Sequence, residues 1–174
     1  MRTLSKLALL ALLALPFGSV FAAGNSSLTV TITVTASATI DIAYTNGAGT
    51  DRTWTPTIAL GVARDTVADS VDLDITNNTT GVPVDIGARV TTQAGAWSVG
   101  AAGTQDKFQI SASPNQAGGA LTFVPFDNTA SVTFVTSLAP AASTSKVAIQ
   151  LTAPSTVSTI HSGQIVVTLL ATLH

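Results

Sequence analysis

The chain has 174 residues, of which 9% are charged and none is cysteine, so it forms no disulfide and offers no cysteine nucleophile. Nine acidic residues outnumber seven basic ones. This balance argues against nucleic acid and anionic membrane surfaces as partners, because both are bound through a surplus of basic residues.

The first 22 residues have the three parts of an export signal. Arg2 and Lys6 give a positively charged N-terminal region, and Leu7 to Leu15 form the apolar region. Val20-Phe21-Ala22 precede the predicted cleavage site. The apolar stretch is shorter than the ~20 residues that cross a membrane, so no membrane span is expected after signal removal. The sequence therefore predicts Sec-type export and one mature domain, residues 23–174. Export without cysteine favours a prokaryotic protein of the cell surface or the medium.

The mature chain is more acidic than the whole sequence. Loss of Arg2 and Lys6 reduces the seven basic residues to five against nine acids, a net charge of −4. All nine acids are aspartate, and 28 of the 174 residues of the whole sequence are threonine. Such a hydroxyl-rich, weakly charged surface gives little protection against association between sheet edges.

The first predicted strand is long. From Leu28 to Ile42, apolar and polar residues alternate for fifteen residues without interruption. This period of two indicates a β-strand with one buried face, and the run is nearly three times the usual ~5–6 residues.

Such a strand has two alternative uses. It can pair within its own domain and change sheets near Ala36-Ser37-Ala38, where side chains are small. It can instead leave and complete the sheet of a neighbouring molecule. The residues inserted into the neighbour would then be Leu28, Val30, Ile32 and Val34.

Further short strands follow at intervals of about ten residues, with glycine, proline and asparagine between them. A turn at 46–49 ends the first run, and residues 70 to 90 are predicted to form a hairpin around Asn77 to Gly81. Later apolar segments lie near Phe108, at Leu121 to Val124, at Val132 to Val135 and at Val147 to Leu151. No helical period is present. The fold class is therefore all-β, a single antiparallel Ig-like β-sandwich of about 8–10 strands, with a barrel as the lesser option.

The last segment predicts a core strand. Ile165, Val167, Leu169, Ala171 and Leu173 share one face. We expect this strand to lie centrally in the sandwich or beside the first strand.

Oxygen ligands suited to calcium cluster around the predicted hairpin. The candidates are Asp72, Asp74 and, from the strand expected to pair with theirs, Asp85. The competing interpretation is a solvated outer strand face, because Asp72 and Asp74 alternate with apolar residues. No other cofactor is expected.

The two tryptophans admit two interpretations. Trp54 and Trp97 could stack against a sugar, as in secreted binding modules, or they could lie in the core or at its edge. The stacking hypothesis requires an exposed indole.

Catalytic combinations are scarce. Outside the predicted signal the chain has two histidines, His161 and His174, and no cysteine. These residues do not suggest a Ser-His-Asp arrangement, so no enzyme is expected.

The order of these segments resembles a known group of proteins. After the alternating first strand come Val71-Asp72-Leu73-Asp74-Ile75-Thr76-Asn77-Asn78, a strand at Pro83-Val84, Ala96-Trp97-Ser98-Val99-Gly100 and Leu151-Thr152-Ala153-Pro154. This layout resembles secreted prokaryotic β-sandwich surface proteins, namely biofilm-fibre subunits of the camelysin and TasA type and WxL-like domains. The chain departs from the WxL pattern, because Pro56 and Val99 stand where a leucine would follow each tryptophan. The resemblance implies polymerisation by N-terminal strand donation and no catalytic residues.

These observations lead to two functional hypotheses. The first is a non-catalytic structural subunit of a fibre or surface coat, whose partners are copies of itself or other surface proteins. The alternative is a monomeric carbohydrate- or cell-wall-binding module.

Overall fold

A computed structural model describes residues 26–36, 42–44, 51–71, 73–95, 97–114, 119–141, 143–158 and 163–174. The predicted export signal lies outside these residues. Within them the chain forms thirteen strands and no helix, and hence no helix able to cross a membrane. The strands are β1 (Ser26–Ala36), β2 (Ile42–Tyr44), β3 (Asp51–Trp54), β4 (Thr57–Ile58), β5 (Ala63–Asp65), β6 (Asp74–Asn77), β7 (Val84–Ala94), β8 (Ser98–Val99), β9 (Lys107–Pro114), β10 (Val124–Phe126), β11 (Val132–Leu138), β12 (Ser143–Thr152) and β13 (Gly163–Leu173).

The strands form two sheets. Sheet I has the order β11-β7-β13-β1-β3, with β4 also paired to β1. Sheet II has the order β10-β9-β12-β6-β2, with β5 on β12 and β8 on β9. Pairing is antiparallel except for β1 with β13 and β8 with β9. The all-β sandwich is confirmed, and the Ig-like arrangement stays a prediction.

Strand number exceeds the predicted 8–10 because several strands are very short. β2, β4, β5, β8 and β10 have two or three residues each. An alternation of period two needs at least four residues to be recognised, so a sequence pattern does not reveal such strands.

The long alternating run is divided between the two sheets. β1 ends at Ala36 in sheet I, and β2 begins at Ile42 in sheet II. The predicted change of sheet near residues 36–38 is therefore correct, although residues 37–41 lie outside the described part.

The hairpin predicted for residues 70 to 90 is wrong. β6 belongs to sheet II and β7 to sheet I, so the turn between them crosses the sandwich.

The buried side chain of Asn77 holds this corner. Its Nδ2 donates to the carbonyl oxygens of Val82, at 2.9 Å, and Leu138, at 3.0 Å. Its Oδ1 accepts the backbone N–H of Thr79 at 3.0 Å. Such bonds satisfy backbone groups that a hairpin ladder would otherwise have paired.

The core lies between the two sheets, and β13, in the middle of sheet I, contributes one face to it. The inward residues Ile165, Val167, Leu169 and Ala171 are at most 1% exposed. β13 pairs with β7 on one side and with β1 on the other. The prediction of a central strand beside the first strand is confirmed.

Candidate functional site

The N-terminal strand β1 is held on both sides. Nine residue pairs, from Leu28 opposite Gly163 to Ala36 opposite Ala171, join it in parallel to β13. Four antiparallel pairs, from Val30 opposite Trp54 to Thr33 opposite Asp51, join it to β3. β1 therefore occupies a groove in sheet I, which we call the β1 groove, with β13 and β3 as its walls.

Apolar side chains of β1 enter the core from this groove. Val30 and Ile32 are fully buried, whereas Thr31 between them is half-buried. The alternation of the sequence is thus an alternation between core and outer face. Of the four predicted assembly residues, the side chains of Val30 and Ile32 are described. Leu28 and Val34 are placed by their backbone register, opposite Gly163 and Leu169.

A polar bridge fixes the β3 wall of the groove to the opposite sheet. Asp69 follows β5, which belongs to sheet II, and its Oδ2 accepts the indole N–H of Trp54 at 2.7 Å. Its Oδ1 accepts Nε–H of Arg64 at 2.7 Å and a second hydrogen bond from Nη2. We call these three residues the Trp54–Asp69–Arg64 bridge. It connects β3 to sheet II by contacts that do not involve β1.

Electrostatics favour the charged form of this bridge. The hydrogen bonds from Arg64, and then that from Trp54, lower the pKa of Asp69. The same contact with Asp69 raises the pKa of Arg64. A shallow hollow of about 430 Å³ is lined by the three bridge residues, by three threonines between 53 and 57, and by Pro56 and Val71. Sequence reasoning missed the bridge, because fourteen residues lie between Trp54 and Asp69 and no periodic pattern links them.

Neither tryptophan provides a stacking surface. Trp54 is 2% exposed and Trp97 6%. The Trp97 Nε1–H is buried with no hydrogen-bond partner among the described residues. A sugar platform needs an open aromatic face, so the stacking role predicted as an alternative for Trp54 and Trp97 is not supported by their placement. Both lie in the core.

Of the candidate calcium ligands, the two that the structure describes, Asp74 and Asp85, lie in different sheets. Asp74 lies in sheet II with its Oδ1 3.6 Å from Lys146 Nζ, whereas Asp85 lies in sheet I. Asp85 Oδ1 accepts the backbone N–H of Ser137 at 2.8 Å and lies 2.7 Å from His174 Nδ1. The grouping failed because it depended on the incorrect hairpin. Asp72 lies outside the described residues, within which no three metal-ligating acids or histidines cluster.

Two other hollows lie away from the β1 groove. One of about 360 Å³ is bordered by Pro125, Phe126 and Asp127. Another of about 310 Å³ is bordered by Val67, Asp74 and Lys146. In the first, Thr129 Oγ1 donates to Asp127 Oδ1 at 2.6 Å, and the backbone N–H of Thr129 donates to the same oxygen at 2.8 Å, so this carboxylate caps its own turn. His161 lies outside the described part of the chain.

The β1 groove is therefore the strongest candidate site, and what it binds is a β-strand. Comparison with known proteins adds no further assignment, since the chain matches no protein-family model and no curated protein.

Proposed function

We propose that the protein is an exported, non-catalytic structural subunit of the cell surface or extracellular matrix, which associates with its own copies by exchanging β1. The observation that carries this proposal is the position of β1. It is an N-terminal strand, yet it is inserted between two other strands of sheet I. It is held by main-chain pairing on both sides and by alternate buried side chains, which are the contacts that strand donation uses.

The contacts of β1 do not depend on which molecule supplies it. Thirteen residue pairs with β13 and β3 provide main-chain hydrogen bonds, and Val30 and Ile32 fill the core. In strand addition, main-chain bonds supply affinity and alternate side chains supply specificity. A second copy carries the same residues, so its β1 makes the same interactions in the β1 groove.

The surface supports self-association. Only 9% of residues are charged, and charged side chains are a common means by which sheet edges avoid pairing. The export signal predicted at residues 1–22 would deliver the subunit outside the cell, where such an assembly has its role.

The test supplies β1 as a separate molecule. A fluorescent peptide of residues 24–36 is incubated with the full chain, and its incorporation is followed by size-exclusion chromatography. We expect slow incorporation as the peptide replaces β1 in the groove. The matched control peptide carries Ile32→Asp and should not be incorporated, because it would bury a charge in the core.

Assembly is measured on the same proteins. The chain and a version lacking residues 24–35 are compared by size-exclusion chromatography and negative-stain microscopy. We expect higher-order particles from the chain with β1 and none from the deletion. Monomers of equal size from both, with no peptide incorporation, would contradict the proposal.

A further inference from the structure

The connection between β1 and the rest of the chain starts and ends at one end of the sandwich. Ala36 lies opposite Ala171 near the end of β13, and Ile42 lies opposite Asn77. Asn77 bonds to Leu138, and Val84 is paired with both Leu138 and Leu173. We call this end, which contains Ala36, Ile42, Asn77, Leu138 and Leu173, the C-terminal pole.

The connection is short. Five residues separate Ala36 from Ile42, and a chain of six steps spans at most about 20 Å. An exchanged β1 would place its Ala36 at the C-terminal pole of the accepting molecule. Its Ile42 would remain at the C-terminal pole of the donor. The two poles must then lie within about 20 Å of each other.

This geometry makes exchange reciprocal. The acceptor's own β1 is connected to the rest of its chain at the acceptor's C-terminal pole. That pole lies next to the C-terminal pole of the donor, whose β1 groove is empty because the donor's β1 has left it. An open fibre would instead require every C-terminal pole to meet two others. A domain of this length has a radius of gyration of about 15 Å, so successive poles cannot remain adjacent along a growing line.

We infer that β1 exchange, on which the proposed function rests, produces a closed two-fold dimer joined at the C-terminal poles. A fibre or coat then grows from this dimer through other surfaces. The partner of the pole is a second copy of the same pole, as in any two-fold interface.

Side chains at the pole suit this partner. Leu173 is 59% exposed and Val82 36%, two of the four large hydrophobic residues that are exposed in the described part of the chain. The backbone N–H of His174 donates to Pro83 at 3.2 Å, which keeps the two segments adjacent. A two-fold contact would place this apolar patch against its own copy and remove it from water.

Engineered cysteines test the inference in the full chain, which has no cysteine of its own. Thr31 of β1 and Thr53 of β3 are register partners, half-buried and exposed respectively. The double variant Thr31→Cys, Thr53→Cys is oxidised and run on a denaturing gel without reductant. Reciprocal exchange predicts a covalent dimer as the main product.

The other products are equally informative. A covalent monomer would mean that β1 pairs within its own chain, and it would overturn both the exchange and the dimer. A covalent trimer or a longer ladder would preserve exchange and overturn only the two-fold dimer. The control pair is Thr91→Cys in β7 and Thr168→Cys in β13. The hydroxyl oxygens of these two threonines are 2.9 Å apart, so the disulfide should form within one chain and give a covalent monomer in every case.

A second measurement tests the pole itself. We expect Leu173→Asp to reduce the dimer fraction several-fold in analytical ultracentrifugation. Val62 is 49% exposed, and its carbonyl binds Ala153 at the opposite end of the sandwich, so Val62→Asp is the matched control. Equal dimer fractions for the two variants would overturn the pole contact.

Discussion

At the scale of single residues, polar side chains determine where the chain changes sheets. Asn77 is fully buried and bonds to two segments, the turn with Thr79 and Val82, and Leu138 at the end of β11. Trp54 has a comparable role at the other end, where its N–H reaches Asp69 across the sandwich. Asn77 satisfies backbone groups at the corner, whereas the bond between Trp54 and Asp69 joins two side chains and ties β3 to sheet II.

The corner at Asn77 gives the first residue-scale prediction. Asn77→Ala removes the side-chain donor of the Leu138 carbonyl and the acceptor of the Thr79 backbone N–H in a buried site, whereas the Val82 carbonyl keeps the hydroxyl of Thr79 at 2.7 Å. We expect a loss of about 2–4 kcal/mol in the free energy of unfolding, measured by urea titration. The exposed neighbour is the control, and Asn78→Ala should change stability by less than about 0.5 kcal/mol. Equal effects would show that the corner does not depend on Asn77.

At the scale of elements, β13 is the centre of sheet I. It pairs with β1 and β7 and buries every second side chain over most of its length. Its outward residues, such as Leu170, are only half-buried. The two faces of one strand therefore contribute differently to stability.

Two neighbouring leucines test this difference. Leu169 is completely buried, so Leu169→Ala should cost about 3 kcal/mol through lost contacts and a cavity. Leu170→Ala, on the outer face, should cost less than about 1 kcal/mol. Urea unfolding of both variants measures the difference. Removal of residues 165–174 should abolish soluble folding, and a truncated chain that melts cooperatively would contradict this placement of β13.

At the scale of the whole molecule, carboxylates stabilise both ends of the sandwich. The pKa of Asp69 is lowered by Arg64, and that of Asp85 by the Ser137 backbone N–H and then by His174. The side chain and backbone of Thr129 lower the pKa of Asp127. All three aspartates are therefore better stabilised as anions in the folded chain than in the unfolded chain.

The expected pH dependence follows in sign from these shifts. A carboxyl whose pKa is lowered by folding stabilises the protein fully above its unfolded value, here 3.8. That contribution to stability is lost as the pH falls from the pKa of the unfolded chain to below the lower pKa of the folded chain. In this range the unfolded chain binds more protons than the folded chain. We expect the melting temperature to fall below about pH 4, and less steeply in Asp69→Asn. Identical slopes would show that the bridge contributes nothing to acid sensitivity.

The sequence by itself determined the strand class, the burial of Val30 and Ile32 in β1, the burial of Ile165, Val167, Leu169 and Ala171 in β13, and the point where the first run changes sheets; Leu173, predicted to share the buried face of β13, is 59% exposed. Alternation of apolar and polar residues reports directly which side of a pleated strand is buried. Only the tertiary structure decided that β6 and β7 lie in different sheets, that Asp74 and Asp85 are apart, and that Asp69 reaches Trp54. Local patterns are the same for a hairpin and for a turn that crosses between sheets. Which strands become neighbours depends on packing between segments distant in sequence, and so does the placement of Ala36 and Ile42 at one pole.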